Sequence, residues 1–385
     1  MNIAIMLPTL SGGGAERVAS IVGNYYIDQG HQVYYFLGNY GLRNVYKVNG
    51  KIVRTDINFV MGQKSGNFFN FVRSIKIIKD LKKKYKIDVA ISFMEEFNYL
   101  NIFSKGNEQV IIRVCRILSK SDDVASAYLN KNILKFVYNR ADKIIVMSNY
   151  AMKEMRYIYG IKKEKLCKIP NPVSIYNNVE IQSESEWKYG EKVILCVGRC
   201  VDVKQHNVSI KAFKWLSEYD KSAEMIILGE GGNKGKIKKM INDSGLKNRI
   251  HYLGFQQNVY YYMKHSKIFL MNSKSEGFPN AMLEAMNAGL AIVTTDCPGG
   301  PPDIVGKTEK SEKYCPYGIL APYITDDNYE ISKISTQEEK LGTILLGLLQ
   351  DSQLLNEYQK KAKKRSCAYS IDVVMKQWNK IMYNN

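Results

Sequence analysis

Two glutamates eight positions apart, Glu276 and Glu284, bracket the start of a predicted helix and are well suited to bind a ligand. A helix that follows a glycine offers free backbone N–H groups to an anion such as phosphate. Carboxylates beside that anion accept hydrogen bonds from hydroxyl groups, which suits a nucleoside diphosphate sugar. Either glutamate alone is better explained as a solvated charge. The residues that directly follow Glu276 favour a binding site instead, and they are Gly277, Phe278, Pro279 and Asn280.

The elements around the two glutamates follow from the apolar pattern and from the glycines and prolines. Asn280 is predicted to be the N-cap of the helix, and Gly289 the glycine that ends it. The predicted order is a strand at 267–272, a loop at 273–279, a helix at 281–288, a strand at 291–295 and a rigid turn at 296–302.

A second set of candidates consists of Gly198, Arg199 and Lys204, which follow a strand predicted at 193–197. A planar guanidinium and a compact ammonium together suit a pair of phosphate groups. Each cation alone could equally be a surface charge. Their place between a strand and a helix, in a chain that also carries the two glutamates, favours a diphosphate site.

The chain opens with a strand at 2–9, a glycine-rich turn and a helix at 18–27, which is typical of a doubly wound fold. Gly13 and Gly14 would let an anion approach the N-terminus of this helix. A tight turn between strand and helix explains the same glycines without a ligand. The turn lacks the G-x-G-x-x-G pattern because Arg17 takes the place of the last glycine, which disfavours a nicotinamide cofactor.

The stretch from Glu276, EGFPNAMLEAMNAGLAIVTTDCPGGP, resembles the donor-site signature of the family 4 retaining glycosyltransferases. Glu276 and Glu284 match both positions of its E-x7-E pattern. The resemblance implies that the first glutamate contacts the donor sugar and the second the ribose. It also implies that Arg199 and Lys204 bind the donor diphosphate, so that Glu276, Arg199 and Lys204 form the catalytic set. The glycine turn at Gly13 would face the donor from the N-terminal side.

The resemblance covers essentially the whole chain and implies the GT-B fold, in which two doubly wound, Rossmann-like α/β domains face a cleft. An acceptor-binding domain is expected at 1–172 and a nucleotide-sugar-binding domain at 192–366, joined by a linker at 173–191. The segment 367–385 is expected to form a helix that crosses back onto the N-terminal domain. A length of 385 residues is sufficient for two such cores.

Strand ends in the first half supply candidates for binding the acceptor. Glu95 and Glu96 follow a predicted strand and could hold an acceptor hydroxyl, or could simply balance a helix dipole. Arg116, after the next strand, joins the acceptor-binding set, and both it and Arg113 are candidates for a phosphate contact. Many family members carry a histidine near this point that contacts the donor sugar, and this chain has none there.

In the second half, the loop after a strand predicted at 250–255 lies where family members receive the nucleotide base. Phe255 and Gln256 are therefore candidates for a base contact, and Phe255 joins the donor-binding set.

The net charge of +18 predicts anionic partners. A helix predicted at 68–85 combines a dense basic set with Phe68, Phe69 and Phe71. It is either an ordinary solvated helix with core aromatics or a surface that lies on anionic lipid. Nucleic acid is disfavoured because the aromatic residues are not gathered in a stacking patch. The basic set is Arg73, Lys76, Lys79, Lys82, Lys83 and Lys84.

The seven cysteines are scattered without C-x2-C pairs and predict reduced core thiols in a cytoplasmic protein. No apolar run is long enough to span a membrane, and no signal peptide is evident. The four histidines lie far apart and no D-x-D motif occurs, so neither a metal nor another cofactor is expected.

The predicted function is transfer of a hexose or N-acetylhexosamine, with retention, from a nucleoside diphosphate sugar, with UDP the expected nucleotide. The expected acceptor is a glycan or a polyprenyl-diphosphate-linked oligosaccharide of bacterial capsule or O-antigen type, reached at the inner face of the cell membrane. A sugar-nucleotide epimerase of the same fold is an alternative, and so is a non-catalytic nucleotide-sugar-binding protein at the membrane. A phosphorylase is disfavoured because its cofactor lysine motif is missing.

Overall fold

The computed structural model describes residues 1–38, 46–57, 67–120, 130–174, 186–308 and 313–383. The chain forms two compact units. The first contains Met1–Pro172 and Ile371–Asn385, and the second contains Val173–Ser370. Residues 175–185, which make up most of the predicted linker, lie outside the described part of the chain.

In the first unit, the described strands form one parallel sheet in the order β3-β2-β1-β4-β5-β6-β7. Alternate residues of β1 enter apolar layers on opposite faces, so both faces of the sheet are buried. The elements are β1 (Asn2–Leu7), α1 (Gly14–Asp28), β2 (Gln32–Leu37), β3 (Lys51–Arg54), α2 (Asn67–Lys84), β4 (Val89–Phe93), α3 (Glu95–Phe103), β5 (Gln109–Arg113), α4 (Lys131–Tyr138), β6 (Lys143–Val146), α5 (Asn149–Lys153) and β7 (Leu166–Lys168).

The strand order reverses direction at β1, with β2 on one side and β4 on the other. In open parallel sheets, ligands bind outside the carboxyl ends of the strands at such a switch point. The strand β7 was not predicted, because its three residues are too short for an apolar pattern to show.

The second unit contains a second sheet, in the order β10-β9-β8-β11-β12-β14-β13 among the described strands. Its strands are parallel except β13, which pairs antiparallel with β14 at the edge. The elements are β8 (Lys192–Val197), α6 (His206–Tyr219), β9 (Ala223–Leu228), α7 (Lys234–Asp243), β10 (Ile250–Gly254), α8 (Val259–His265), β11 (Ile268–Met271), α9 (Asn280–Ala288), β12 (Ala291–Thr295), α10 (Pro301–Val305), β13 (Tyr314–Cys315), β14 (Gly318–Ala321), α11 (Thr336–Gln350) and α12 (Ser352–Ser366).

The predicted turn at 296–302 is partly wrong, because its last two residues begin the short helix α10. Proline is favourable in the first turn of a helix, where its missing N–H has no intrahelical partner. The glycine expected at the end of α9 is confirmed, since Gly289 has a φ of +93°.

The last helix, α13 (Ile371–Tyr383), belongs to the first unit, as the predicted crossing back requires. Its buried face joins the same apolar cluster as β1 and α1. Trp378 is fully buried there, and the Arg113 guanidinium lies 5.7 Å from the centre of its ring. The buried residues of the helix recur at helical spacing and are Val374, Met375, Trp378, Ile381 and Met382.

Gln205, the residue before α6, has a left-handed backbone with a φ of +45° and a ψ of +48°. Its fully buried side chain donates two hydrogen bonds of 2.7 Å, to the carbonyl oxygens of Asn272 and Ile324. Its amide oxygen accepts a hydrogen bond of 2.8 Å from the backbone N–H of Asp326. These three bonds hold a conformation that costs a non-glycine residue about 1–2 kcal/mol. They also fix the loop that carries the preceding residue, Lys204.

We expect Gln205→Ala to lower the free energy of unfolding by about 3 kcal/mol, because it leaves buried backbone groups without partners. Gln205→Gly loses the same bonds but relieves the left-handed strain, so it should be about 1 kcal/mol more stable than the alanine variant. Urea unfolding followed by tryptophan fluorescence measures both. Gln353→Ala, at an exposed position of α12, is the control and should change stability by less than about 0.5 kcal/mol. Equal stability of the alanine and glycine variants would contradict the claim that the left-handed backbone at position 205 is strained for a non-glycine residue.

Candidate functional site

The candidate residues of the second unit gather at one edge of its sheet. The strands β8 and β11 are neighbours, and the segments that follow them carry all of the predicted residues except Phe255 and Gln256, which follow β10. Gly198, Arg199 and Lys204 follow β8, whereas Glu276 follows β11. A backbone hydrogen bond of 2.8 Å, from the N–H of Lys274 to the carbonyl oxygen of Val203, joins these two loops.

The side chains of Lys204 and Glu276 form an ion pair. Both are largely buried, with 19% of the lysine side chain and 11% of the glutamate side chain exposed. The hydroxyl of Ser273 donates a second hydrogen bond, of 2.5 Å, to the same Glu276 oxygen. An ammonium group has three donors, so Lys204 can hold this carboxylate and still contact a bound anion.

The backbone of Glu276 is fixed by the turn after β12. Its N–H donates to the carbonyl oxygen of Pro298 at 3.1 Å, and its carbonyl oxygen accepts from the N–H of Gly300 at 3.2 Å. Gly299, between them, has a φ of +127°, and a side chain there would overlap the Glu276 carbonyl oxygen. The glycine pair of the signature is therefore required by the close approach of two backbones.

Glycine plays a similar part behind Lys204. A side chain on Gly229, whose φ is +139°, would overlap the carbonyl oxygen of Gly198. A side chain on Gly198 would make only an ordinary contact with Lys204, since its Cβ would lie 3.5 Å from the lysine Cδ. The glycine turn after β9 thus has a structural role.

The helix α9 begins at Asn280, so the prediction of Asn280 as its N-cap is wrong. Pro279 takes the N-cap position, and its side chain cannot accept a hydrogen bond from the helix N–H groups. Gly277, Phe278 and Pro279 form the loop that leads from Glu276 into the helix. Glu284 lies four residues after Asn280 and is half-buried, on the same side of α9. Both glutamates therefore stand near a helix N-terminus that has no side-chain cap from Pro279.

Arg199 is exposed in the loop after β8, where its guanidinium is accessible to a ligand. The two candidates for a base contact, Phe255 and Gln256, differ in how accessible their side chains are to a ligand. Phe255 is 70% exposed beyond β10. The Gln256 amide is engaged within the protein, because it donates to the carbonyl oxygen of Leu253 at 2.8 Å and accepts from the hydroxyl of Tyr262 at 3.2 Å.

The other candidates belong to the first unit. Gly13 precedes α1 and Gly14 begins it. Glu95 and Glu96 begin α3, and Glu95 forms an ion pair of 3.0 Å with the Nε of Arg116. Glu95 is buried, whereas Glu96 is half-buried.

Arg113 does not suit the phosphate contact suggested for it. It is 1% exposed and lies 5.8 Å from the ring centre of Phe93, and its Nη2 donates a 2.5 Å hydrogen bond to Asn171. Burial lowers its pKa to about 10. Because the side chain of a strand residue alternates between faces, the sequence could not show that this arginine points into the core beside Trp378.

Lys82 also differs from its prediction as part of an exposed basic set. It is buried in α2, where its ammonium donates to Glu108 at 2.7 Å and to the side chain of Asn101 at 2.8 Å. Burial lowers its pKa to about 8. The aromatic residues of the same helix fall into two groups. Phe71 packs edge-on against Phe103, whereas Phe68 and Phe69 are exposed.

Sequence reasoning missed three residues that support the Lys204–Glu276 site, namely Gln205, His206 and Ser273, and it also missed Glu16 in the first unit. His206 is buried behind Gly198, and burial lowers its pKa to about 4, so it is neutral at pH 7. Nothing in the sequence distinguishes the first three from ordinary polar residues. Glu16 could have been recognised from the sequence, because it is an acidic residue in the first turn of a helix that follows a glycine turn. A carboxylate at this position faces the helix N-terminus.

All seven cysteines are free. Cys297 lies in the turn behind Glu276, where burial and the charge of that glutamate raise its pKa. Cys367 is exposed, so the prediction of core thiols is wrong for this residue. Among the described residues, no group of three or more His, Cys, Asp or Glu side chains could hold a metal ion. None of the described helices is both long enough and apolar enough to cross a bilayer.

Comparison with known proteins agrees with this architecture. The family model "Glycosyltransferase Family 4" matches residues 12–176, and "Glycosyl transferases group 1" matches residues 178–322. An uncharacterized glycosyltransferase of Methanocaldococcus jannaschii is 28% identical over 80% of this chain and 81% of its own length.

A second relative is the N-acetylgalactosamine-N,N'-diacetylbacillosaminyl-diphospho-undecaprenol 4-alpha-N-acetylgalactosaminyltransferase of Campylobacter jejuni. It is 25% identical over 96% of this chain and 95% of its own length. Anabaena HepE, solved in complex with UDP and glucose, superposes with a TM-score of 0.73 at 16% identity, covering 100% of this chain and 99% of its own. The two family models together span most of the chain, which therefore belongs to the family 4 glycosyltransferases and has their GT-B fold.

Proposed function

We propose that this glycosyltransferase moves a hexose or N-acetylhexosamine from a UDP-sugar to a glycan or polyprenyl-diphosphate-linked acceptor in bacterial polysaccharide synthesis. The observation that carries the proposal is the Lys204–Glu276 pair, held at the strand ends beside the N-terminus of α9. The names of similar proteins support both substrates. HepE was solved with UDP and glucose, and the Campylobacter enzyme is named for a diphospho-undecaprenol acceptor.

In this proposal the donor lies across the strand ends of the second unit. Glu276 accepts hydrogen bonds from hydroxyls of the donor sugar, and Glu284 from those of the ribose. Gly198 leaves room for the diphosphate beside Lys204, while Gly277, Phe278, Pro279 and Asn280 form the loop and helix start around it. Phe255 offers an exposed ring for the base to stack on.

The proposed reaction breaks the bond between the anomeric carbon and the β-phosphate oxygen. Arg199, Lys204 and the N–H groups that begin α9 stabilise the negative charge of the departing diphosphate, which is the main contribution expected from such a site. The acceptor hydroxyl attacks from the same face and its proton passes to the departing phosphate oxygen, so configuration is retained. No metal is needed in this scheme because the two cations and the helix supply the positive charge.

The acceptor is assigned to the first unit, at Glu95, Glu96 and Arg116. The helix α2 is proposed to lie on the anionic inner face of the cell membrane, which would make the protein a peripheral membrane enzyme. Phe68 is 74% and Phe69 84% exposed, an unusual position for two phenylalanines. The exposed cations on the same side of the helix are Arg73, Lys76 and Lys79.

UDP should raise the melting temperature of the purified protein, whereas GDP, ADP and CMP should not. At about 100 times its Kd, a ligand adds about 2.7 kcal/mol of stability. Glu284→Gln should reduce the shift with UDP because it removes the carboxylate proposed for the ribose. Glu218→Gln, on the exposed face of α6, is the matched control. Equal shifts with all four nucleotides would indicate phosphate binding alone, and no shift would contradict the donor site.

Lys204→Ala should lower kcat for UDP release from the preferred UDP-sugar by about a hundredfold, as expected for loss of a charge-stabilising group. Lys192→Ala is the matched control, because that lysine also pairs with a carboxylate, Asp220 at 2.9 Å, but lies at the opposite end of β8. Turnover near that of the wild type in the Lys204 variant would remove its assignment to the diphosphate. Consumption of the UDP-sugar that yields neither a glycosylated acceptor nor a free sugar from hydrolysis would instead indicate an epimerase.

Binding to liposomes that contain anionic lipid should fall by about a hundredfold when Arg73, Lys76 and Lys79 are all replaced by alanine, since each basic residue contributes about 1 kcal/mol. Replacing Lys234, Lys236 and Lys239 of α7 removes the same charge from another exposed helix and should have little effect. Flotation with and without anionic lipid measures both. Equal losses in the two triple variants would show that only net charge matters.

A further inference from the structure

A group of polar residues in the first unit lies where three neighbouring strands end. Glu16 is on α1, which follows β1, and Glu95 begins α3, which follows β4. Cys115 and Arg116 are the second and third residues after β5. Because β4 pairs with both β1 and β5, the three carboxyl ends are adjacent at the switch point of the sheet.

The two glutamates are buried, and each has an unsatisfied oxygen. Each residue is 7% exposed. One oxygen of Glu16 accepts a hydrogen bond of 3.2 Å from the hydroxyl of Thr9, and one oxygen of Glu95 contacts Arg116. Within the described part of the chain, Glu16 Oε2 and Glu95 Oε1 are buried without a hydrogen-bond partner. Buried acceptors are nearly always paired in folded proteins, so these two oxygens require donors from ordered water or from a ligand.

The thiol of Cys115 shows that the two carboxylates share one environment. Burial raises the pKa of Cys115 to about 11, and Arg113 opposes this rise. Both Glu95 and Glu16 raise the pKa further through their charges. Two carboxylates from different strand ends therefore lie within electrostatic reach of the same sulfur.

The position of Glu16 also determines the kind of ligand. It is the third residue of α1, and a side chain on Gly13 would overlap its Oε2. The carboxylate thus covers the glycine turn and already faces the positive end of the helix dipole. A phosphate group at this turn would meet a like charge, so the expectation of an anion site at Gly13 and Gly14 does not suit the structure. Two acceptor-only groups instead need a ligand with O–H or N–H donors.

We propose that Glu16 and Glu95 together accept hydrogen bonds from hydroxyl groups of the acceptor sugar, and that Arg116 holds Glu95 in position. This inference rests on the proposed transfer to a sugar acceptor and adds Glu16 to the acceptor site. It also separates the two parts of a lipid-linked acceptor. The neutral sugar binds at the strand ends, and the diphosphate must bind away from these carboxylates.

Saturation-transfer NMR on the full chain with UDP tests the proposal. The probes are the methyl α-glycosides of N-acetylgalactosamine, N-acetylglucosamine, galactose and glucose. At least one should bind the wild type, and its Kd should rise about tenfold or more in Glu16→Gln and in Glu95→Gln, because each loses a charged hydrogen-bond acceptor. Either variant suffices if the other does not fold. Glu164→Gln, at an exposed position of the same unit, is the control and should bind as the wild type does.

The second part of the experiment adds inorganic pyrophosphate as a competitor, and it should not displace the bound glycoside. Displacement by pyrophosphate, or no binding of any glycoside to the wild type, would overturn the proposal. A signal that survives in both glutamine variants but disappears in Glu276→Gln would place the sugar in the donor site and would overturn it as well. The response of the melting temperature to UDP is measured separately, so a failed donor site is distinguished from a failed acceptor site.

Discussion

The ion pair between Lys204 and Glu276 depends on close approach of several backbone segments. Taking an ammonium and a carboxylate partly out of water costs free energy unless each finds its partner in good geometry. That geometry exists only because the turn after β12 fits against the backbone of Glu276, where Gly299 has no side chain to interfere. On the other side, Gln205 fixes the loop that carries Lys204 by bonding to three buried backbone groups. The charges of the site are thus positioned by uncharged neighbours.

The two-sheet architecture and the glutamate pair were predictable because they rest on local patterns. Apolar runs followed by glycine turns identify buried parallel strands, and Gly289 identifies the end of α9. The contact between Lys204 and Glu276 was not itself predicted, and it arises because loops after neighbouring parallel strands lie at one edge of the sheet. The roles of these residues in binding a donor remain predictions.

Other features could not be predicted because they depend on contacts distant in the sequence. Gln205 is held by groups more than sixty residues away, and no local pattern indicates its left-handed backbone. Arg113 and Lys82 appeared suited to anions, but the structure places both in the interior, where burial lowers their pKa values. Sequence shows that a cation is present on a strand or helix. Only packing shows which face of that element is covered.

The two units share a strand, turn and helix arrangement, but the charges near the N-termini of the two helices, α1 and α9, differ. In α1, an acidic residue in the first turn, Glu16, directs its carboxylate back over the glycine turn. In α9, the first turn contains no acidic residue, and Glu276 in the loop before it is paired with the cation of Lys204. The positive end of the helix dipole is therefore already balanced in α1 and is open to an added anion in α9. In the proposed arrangement, one side chain in the first turn therefore distinguishes a site for hydroxyl groups from a site for phosphate.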